Sequence, residues 1–516
     1  MLQGTIKMKK KTYEVVAAIN VGSDFLRMSI AQINPDGTLM ILEETSLPNN
    51  IGKDTYAKRR ISPKTIKETC AGLKGFSKLM NDYHVKIYRA VATSGLHEAD
   101  NRDYIIEQIR LVAGIDVEII NNVQERFLIY KALRNYLNGF DNIDLTDSII
   151  VNLTSGGVEV SMYATDGLKF TEYLKMGPLR LREILYTLET KTISFPKVME
   201  EYIESKIYLL KPKMKKMHIK NFIGLGGYLS SILEMCHLEN QSYISKERLE
   251  KLYLEIREMN TDQMVDAFNI SSAKAELLLP AILIFHSFLS RTKAEGIYAP
   301  MITNRQGILH GLIDKLYEIP RKTNAENDII SSVWYMAEKY GVDKKHASYV
   351  EKMSLSLFDK TWKYHRLGDQ EKLYLQVAAI LHDSGNYVSL SEHGNHSSNI
   401  IRTQSIMGFS DKELELIANI AKYHTTRIPT YSDRSYYVLS HTEKILVSKL
   451  SAILKIAESM DISHMQKIND IELFVADDSL QLKLISNKDI LLEKWDIMNN
   501  VEFFQEVMGI KISLKG

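Results

Sequence analysis

Residues 18–31 (AINVGSDFLRMSIA) and 150–163 (IVNLTSGGVEVSMY) match at one constant offset: Asn20 falls on Asn152, Ser23 on Ser155 and Ser29 on Ser161, with apolar positions matched between them. Both copies read as strand, small-residue turn, strand. A duplicated unit of this kind predicts two similar α/β domains facing each other, and that geometry leaves a ligand cleft between them. Around the first copy, EVVAAI at 14–19 reads as a buried strand. RMSIAQI at 27–33 alternates as a half-buried strand does, and Asn34-Pro35-Asp36-Gly37 forms the following turn. Helices are expected over 65–82 and 101–113, with strands at 88–93 and 116–120. The second copy runs to about 318 and contains KNFIGLGGYLSSIL, a strand, a glycine turn and a helix start.

Beyond a polar linker at 319–327, the pattern changes. Residues 328–465 carry apolar positions at i, i+3, i+4, and eight of the 14 histidines fall between 346 and 464. Residues 466–516 return to strand-like alternation and are expected to end in a short helix around Phe503 and Phe504. The expected domains are 1–135, 136–318, 328–465 and 466–516. The fold class is α/β: two paired domains with an interdomain cleft, then an all-α domain and a small α+β piece.

Charge and composition narrow the function classes. Lysine and arginine number 65 against 64 acids, a net +1, which argues against a strongly basic nucleic-acid binder. The local run KPKMKKMHIK at 211–220 reads by default as a solvated helix or loop, with a groove attracting a long polyanion as the sharper alternative. Two cysteines, Cys70 and Cys236, cannot build a disulfide framework or a four-cysteine zinc site, so a reducing, cytoplasmic compartment is expected. The apolar stretch 277–290 contains Pro280 and His286 and is shorter than the ~18–20 residues of a membrane span. Lys7, Lys9, Lys10 and Lys11 precede VVAAI, a run too short for a signal segment and better read as the first strand.

Three constellations carry possible chemistry. Gly22-Ser23, Ser155-Gly156-Gly157 and Gly224-Leu225-Gly226-Gly227 each follow an apolar strand. Each is open to two readings, a tight turn or a backbone cradle for phosphate oxygens. Glu125 sits in the first turn of an amphipathic helix that Asn121 can cap. It either complements the helix dipole or acts as a general base toward water. Glu159, just past the second turn, is a similar case. Finally, His346, His382, Asp383, His396, His424 and Asp461 lie on predicted helices, and such side chains can converge on one or two divalent metals.

Together these residues resemble the exopolyphosphatase / guanosine pentaphosphate phosphohydrolase (Ppx/GppA) family, over about 13–512. AAINVGSDFLRM resembles the family's first phosphate loop, A-x-D-x-G-S-N-S-x-R, and places Asn20, Gly22, Ser23 and Arg27 in it. ATSGLHEADN resembles A-T-S-A-x-R-E-A-x-N and adds Thr93 and Ser94. INNVQERFLIY resembles I-S-G-x-E-E-A-R-L-x-Y, with the family's base on Glu125. VNLTSGGVE resembles V-D-x-G-G-G-S-T-E, with Asn152, Ser155, Gly156, Gly157 and Glu159. GPLRLRE brings Arg180, and GLGG brings Gly224, Gly226 and Gly227. HASYVEKMSLSLFD, AAILHDSGNYVS, HGNHS, AKYHTTRIP and IAESMDISH resemble the family's helical HD domain.

The resemblance implies the actin / sugar-kinase / ribonuclease-H-like fold and a hydrolase that releases terminal phosphate from polyphosphate or guanosine pentaphosphate. It implies Mg²⁺ in the cleft, a divalent metal at the HD site, and a homodimer without nucleic-acid or membrane partners. The chain departs from the family pattern where Asp becomes Asn at Asn20 and Asn152, where Arg becomes His97 and Leu309, and where the loops carry Asp24-Phe25, Thr154-Ser155 and Gly157-Val158. Lost carboxylates weaken a magnesium site. Two further readings follow: a polyphosphate- or alarmone-binding sensor that no longer cleaves, and a metal-dependent phosphohydrolase acting through the HD domain.

Overall fold

The structure is a computed structural model and describes residues 13–515 apart from 138–144, 165–166, 190, 193, 217, 239–241, 318–324, 405, 426 and 477–478. The amino-terminal lysines, most of the expected linker and the expected boundary at 318 lie outside the described residues. The chain forms two compact units, Met1–Ala325 and Glu326–Gly516.

The first unit holds two sheets. In the first, β1 (Glu14–Val21), β2 (Phe25–Ile33) and β3 (Leu39–Pro48) form an antiparallel meander, and β4 (Ile87–Ala92) and β5 (Val117–Ile119) add in parallel beyond β1, giving the order β3-β2-β1-β4-β5. Strand residues alternate between two cores, as the period of two requires. Ala17, Ile19 and Val21 pack with Leu73, Phe76 and Ile109 from the helices Pro63–Asp82 and Arg102–Ala113. Val16 and Ala18 pack on the opposite face with Leu128, Ile308 and Leu312.

The second sheet repeats this plan. β6 (Ser148–Leu153), β7 (Val158–Ala164) and β8 (Gly167–Leu174) form the meander, followed by parallel β9 (Asn221–Leu225). β10 (Tyr243–Ser245) and β11 (Gly296–Tyr298) complete the order β10-β11-β9-β6-β7-β8. The duplication extends to an irregularity. The register of β2 on β3 shifts between Ile30 and Ala31, and that of β7 on β8 between Met162 and Tyr163, the equivalent residues of the two copies. The helix Ser272–Leu289 is long and apolar enough by composition to cross a membrane, but Leu278, Ile282, Phe285 and Phe288 are fully buried in this unit.

The second unit opens with helices Ala325–Lys339, Lys344–Lys360, Asp369–Leu381, His393–Thr403, Asp411–Lys422 and His441–Ser459. Asp343 caps the second of these, while Ser410 and Ser440 start the last two in full capping boxes with Glu413 and Glu443. β12 (Asp470–Ala476) and β13 (Ser479–Ile485) then form a hairpin. The expected short terminal helix is longer and is not terminal: it runs Leu491–Met508, and β14 (Lys511–Lys515) follows, parallel to β13. Gly509, left-handed at φ 71°, ends the helix and lets the chain turn back into the sheet.

Candidate active site

A cavity of about 660 Å³ opens in the first unit, where the turns of the two duplicated meanders meet. Of the residues expected to bind phosphate, it is lined by Asn20, Gly22, Ser23, Arg27, Thr93, Ser94, Asn152, Ser155, Gly226 and Gly227, together with Glu125. The first turn is closed by the Gly22 N–H donating to the Phe25 carbonyl (3.0 Å), so that donor shapes the loop. Ser23 and Ser94 share the Tyr56 hydroxyl at 2.7 and 3.0 Å. The Asn20 and Asn152 side-chain oxygens are buried and have no hydrogen-bond partner. A buried carbonyl oxygen without a donor is unusual in a folded protein, and it suits a ligand's hydrogen bond or a cation. The cavity wall also carries Lys53, Arg182, Lys274 and Arg305, so with Arg27 five cations face three carboxylates, Asp24, Glu125 and Glu276.

Glu125 lies at the start of the helix Asn122–Leu137. Asn121 begins this helix by accepting from the N–H groups of Val123 and Gln124, which fixes the rotation that turns Glu125 into the cavity. Its carboxylate accepts from the Asn304 amide at 2.6 Å, and burial pushes its pKa up to about 7 against that hydrogen bond. Asn304 is a site residue that the sequence reading misses. It follows Thr303, whose reciprocal hydrogen bonds with Gln306 (2.9 and 3.4 Å) start the helix Asn304–Tyr317. The T-x-x-Q spacing carries that signal.

Five expected site residues do not line the cavity. Glu159, cross-strand from Asn152, lies behind it in a small void and pairs with Arg126 at 3.1 Å. Burial raises Glu159 to about 7, with Arg126 opposing the rise. The Arg180 guanidinium binds both carboxylate oxygens of Glu98 (2.6 and 3.1 Å), donates to the Gly156 carbonyl (2.6 Å) and stacks over Tyr56. It buttresses the second loop, and its side chain is buried. Gly156 and Gly157 leave room for neighbouring tyrosines: a Cβ at Gly156 meets the Tyr56 hydroxyl at 2.2 Å, and one at Gly157 meets the Tyr173 ring at 2.3 Å. Gly224 packs within β9 against Ile297 and Leu229. Gly226 combines φ 119° with a Cβ position 2.1 Å from the Leu153 carbonyl oxygen. Gly226→Ala is therefore expected to destabilise the unit by about 2 kcal/mol or more, read as a lowered thermal midpoint.

In the second unit, four imidazoles converge on one carboxylate. His346 and His382 approach with Nε2 atoms 3.3 Å apart, and His393 and His424 with Nε2 atoms 2.9 Å apart. Asp383 lies between the pairs. Its Oδ2 is 3.8 and 3.7 Å from the Nε2 atoms of His346 and His382, and its Oδ1 is 3.4 and 3.7 Å from those of His393 and His424. Glu458 Oε2 stands 3.2 and 3.0 Å from His346 and His382. Burial opposes a charged His346, but Asp461 and Glu458 hold its pKa up to about 10.

Two members of the expected metal set fall elsewhere. His396 does not join the cluster; His393 stands in its place. Ser397 fixes the helix by accepting from the Gly385 N–H (2.8 Å) and donating to the His382 carbonyl. His393 is four residues before Ser397 and shares its face, whereas His396 is rotated by about 100°. Asp461 lies outside the convergence. It accepts from Gln466 N–H (2.6 Å), Gln466 Nε2 (2.7 Å) and His346 Nδ1 (2.9 Å), so it orients His346. Glu458, one turn earlier on the helix His441–Ser459, occupies the inward position. A lone carboxylate in the mostly apolar run ILKIAES is the sequence signal for it.

The family model described as Ppx/GppA phosphatase family matches residues 29–316, and the one described as Ppx/GppA phosphatase, domain III matches 330–502. The chain is 18% identical over 440 residues to a guanosine-5'-triphosphate,3'-diphosphate pyrophosphatase of Photobacterium profundum, covering 85% of this chain and 86% of that protein. It is 21% identical over 467 residues to the protein of the same name from Pseudoalteromonas translucida, covering 88% of each. The crystal structure of an exopolyphosphatase from Cytophaga hutchinsonii shares the fold, with a TM-score of 0.51, 18% identity, and coverage of 58% of this chain and 98% of that one.

Proposed function

This chain belongs to the Ppx/GppA phosphatase family, and from that premise we propose that it hydrolyses the terminal phosphoanhydride of polyphosphate or guanosine pentaphosphate in the cleft of the first unit. The observation that carries this reading is Glu125: a buried carboxylate, oriented by Asn304, held near neutral pKa and facing a cation-rich cavity. Such a group is matched to take a proton from water at physiological pH. In the step, the water oxygen bonds to the terminal phosphorus, its proton passes to Glu125, and the bridging P–O bond breaks to release the shortened chain. Arg27 and Arg305 offset charge on the phosphates, and Ser23, Thr93 and Ser94 hold oxygens beside them. Glu159, paired with Arg126, is a positioning residue that supports Asn152 from behind.

The cleft suits a magnesium ion that arrives with the substrate. The unpartnered Asn20 and Asn152 oxygens are hard oxygen donors, and magnesium takes few protein ligands when phosphates supply the rest, which leaves Glu125 free as the base. There the ion would neutralise charge on the phosphoryl oxygens.

The acid limb of the rate profile tests this reading. Because Glu125 acts ionised and its pKa is about 7, phosphate release should rise between pH 6 and 8 with its midpoint near 7. A midpoint near 4.5, the ordinary glutamate range, would remove Glu125 from the role. We read the remaining parts as follows. Residues 1–135 and 136–318 are the duplicated halves of the hydrolase, 328–465 is a divalent-metal-binding helical domain of HD type, and 466–516 is its α+β extension. The free cysteines Cys70 and Cys236, both buried, fit a cytoplasmic setting.

A further inference from the structure

We propose that Tyr56 and Tyr228 are positioning residues for bound phosphate, one for each loop: each donates its hydroxyl proton to the loop serine, Ser23 or Ser155, and so turns that serine's own O–H into the cavity. This rests on reading the cleft as the phosphohydrolase site and goes further, by assigning what orients its two hydroxyl donors.

Three observations support it. The first is the matched setting of the two serines, which are equivalent residues of the duplication and both line the cavity. The Ser23 carbonyl accepts from the Gly52 N–H (2.7 Å), and the Ser155 carbonyl from the Arg180 N–H (3.2 Å). Each of these donors lies in the first turn of the helix that follows its meander, Ile51–Lys58 or Pro178–Glu189, so the two anchors follow from the repeat. The hydroxyls are held as well. Ser23 Oγ is 2.7 Å from the Tyr56 hydroxyl, and Tyr228 donates to Ser155 Oγ at 3.2 Å.

The second observation is where the tyrosines come from. Tyr56 stands one turn beyond Gly52 on the helix Ile51–Lys58. Tyr228 opens the helix Tyr228–Met235, after β9, the fourth strand of its copy. The two are not equivalent residues, so the duplication does not account for both. Two different elements bring the same group to the same atom of two matched loops. Gly52 permits the first approach, since a Cβ there would stand 2.7 Å from Ser23 Cβ.

The third observation is the proton count. A serine hydroxyl has one hydrogen and two lone pairs, and a phenol is the more acidic hydroxyl and the better donor. Once a tyrosine fills a lone pair, the serine hydrogen is left for another acceptor, and accepting one bond strengthens the next. Ser155 Oγ has no second partner among the described residues. The remaining contact of Ser23 Oγ, to Ser94 Oγ, is 3.4 Å long, beyond the usual span of about 2.5–3.0 Å for such a bond. Both serine hydrogens are therefore available to phosphoryl oxygens in the cavity. Burial pushes the Tyr56 phenol up to about 12 and the Tyr228 phenol well above its ordinary value, so both keep the proton they donate.

The test measures affinity and does not depend on turnover. Binding of inorganic tripolyphosphate to the full chain, without added Mg²⁺, is titrated by calorimetry beside Tyr56→Phe, Tyr228→Phe, Ser23→Ala and Tyr56→Phe/Ser23→Ala. Each phenylalanine variant keeps the ring and loses one hydroxyl, and thermal midpoints confirm folding. Each tyrosine change is expected to weaken binding roughly 10-fold, the scale of one hydrogen bond to a charged group. The double variant should bind no more weakly than Ser23→Ala, because Tyr56 acts through Ser23. Under turnover with Mg²⁺, the loss should fall on KM rather than on kcat. An affinity within twofold of the unaltered chain's in either phenylalanine variant, or additive losses in the double variant, overturns the assignment and spares the hydrolase reading. Tyrosine-dependent binding by a chain that releases no phosphate keeps the assignment and overturns that reading. No binding by the unaltered chain, with Mg²⁺ or without, overturns both.

Discussion

Glu125→Gln is expected to lower phosphate release by about 10²–10⁴-fold, the range that general-base catalysis contributes. Glutamine has the size of glutamate, and its carbonyl oxygen can still accept from the Asn304 amide 2.6 Å away. The cavity should therefore keep its shape. Stability should not fall either. Burial raises the folded pKa, so above about pH 7 the ionised carboxylate is less favourable in the folded protein than in the unfolded chain. The neutral amide removes that penalty, and the thermal midpoint at pH 8 should hold or rise. Loss of rate with an unchanged midpoint is the expected pattern, together with loss of the acid limb near pH 7. A rate within twofold of the unaltered protein would mean that another group activates the water.

The second large effect is expected at the paired amides. Asn20 and Asn152 occupy equivalent positions in the two copies, and both present a buried oxygen without a partner to one cavity. Changing both to Asp adds two negative charges where a Mg²⁺–phosphate complex would bind. At 4 Å and an effective dielectric constant of 20, each charge attracts a divalent ion by roughly 8 kcal/mol gross. Desolvation offsets most of this. A net ~1–3 kcal/mol leaves the half-saturating Mg²⁺ concentration about 5–150-fold lower. Titrating the rate with Mg²⁺ in both proteins measures it. An unchanged half-saturation would show that these side chains do not face the ion.

The duplication is legible because both copies keep the same order of strand, turn and strand, and the matched register shifts at Ile30 and Met162 bear the repeat out. The paired actin-like α/β plan follows from it. The equivalence also shows what the repeat conceals. Arg27 pairs across from Asn20, and Glu159 pairs across from Asn152, so one register slot carries a cation facing the cavity in one copy and an acid behind it in the other. Motif spacing places Arg180 beside phosphate, but Glu98, far away in sequence, occupies its guanidinium. Glycines at 156 and 157 read as a phosphate cradle, yet their lack of a Cβ makes room for Tyr56 and Tyr173, which no local pattern announces.

The expected histidine cluster differs from the observed one by helical phase alone. Two histidines three residues apart, His393 and His396, satisfy the same motif by eye, and only the packing of Ser397 on Gly385 decides which faces inward. The same holds for Glu458 against Asp461. The last strand, β14, escapes the sequence reading although Ile512 and Leu514 alternate with polar neighbours. Five residues carry that pattern weakly, and parallel pairing with β13 supplies the rest.

One measurement bears most directly on the cleft as a working active site: orthophosphate release from long-chain polyphosphate and from guanosine pentaphosphate by the unaltered protein at pH 8 with Mg²⁺, run beside Asn20→Asp/Asn152→Asp. The expected result is release by the unaltered protein from at least one substrate, saturating at lower Mg²⁺ in the double variant. No release by the unaltered protein, with release by the double variant, would contradict it and show that the two amides have closed the reaction.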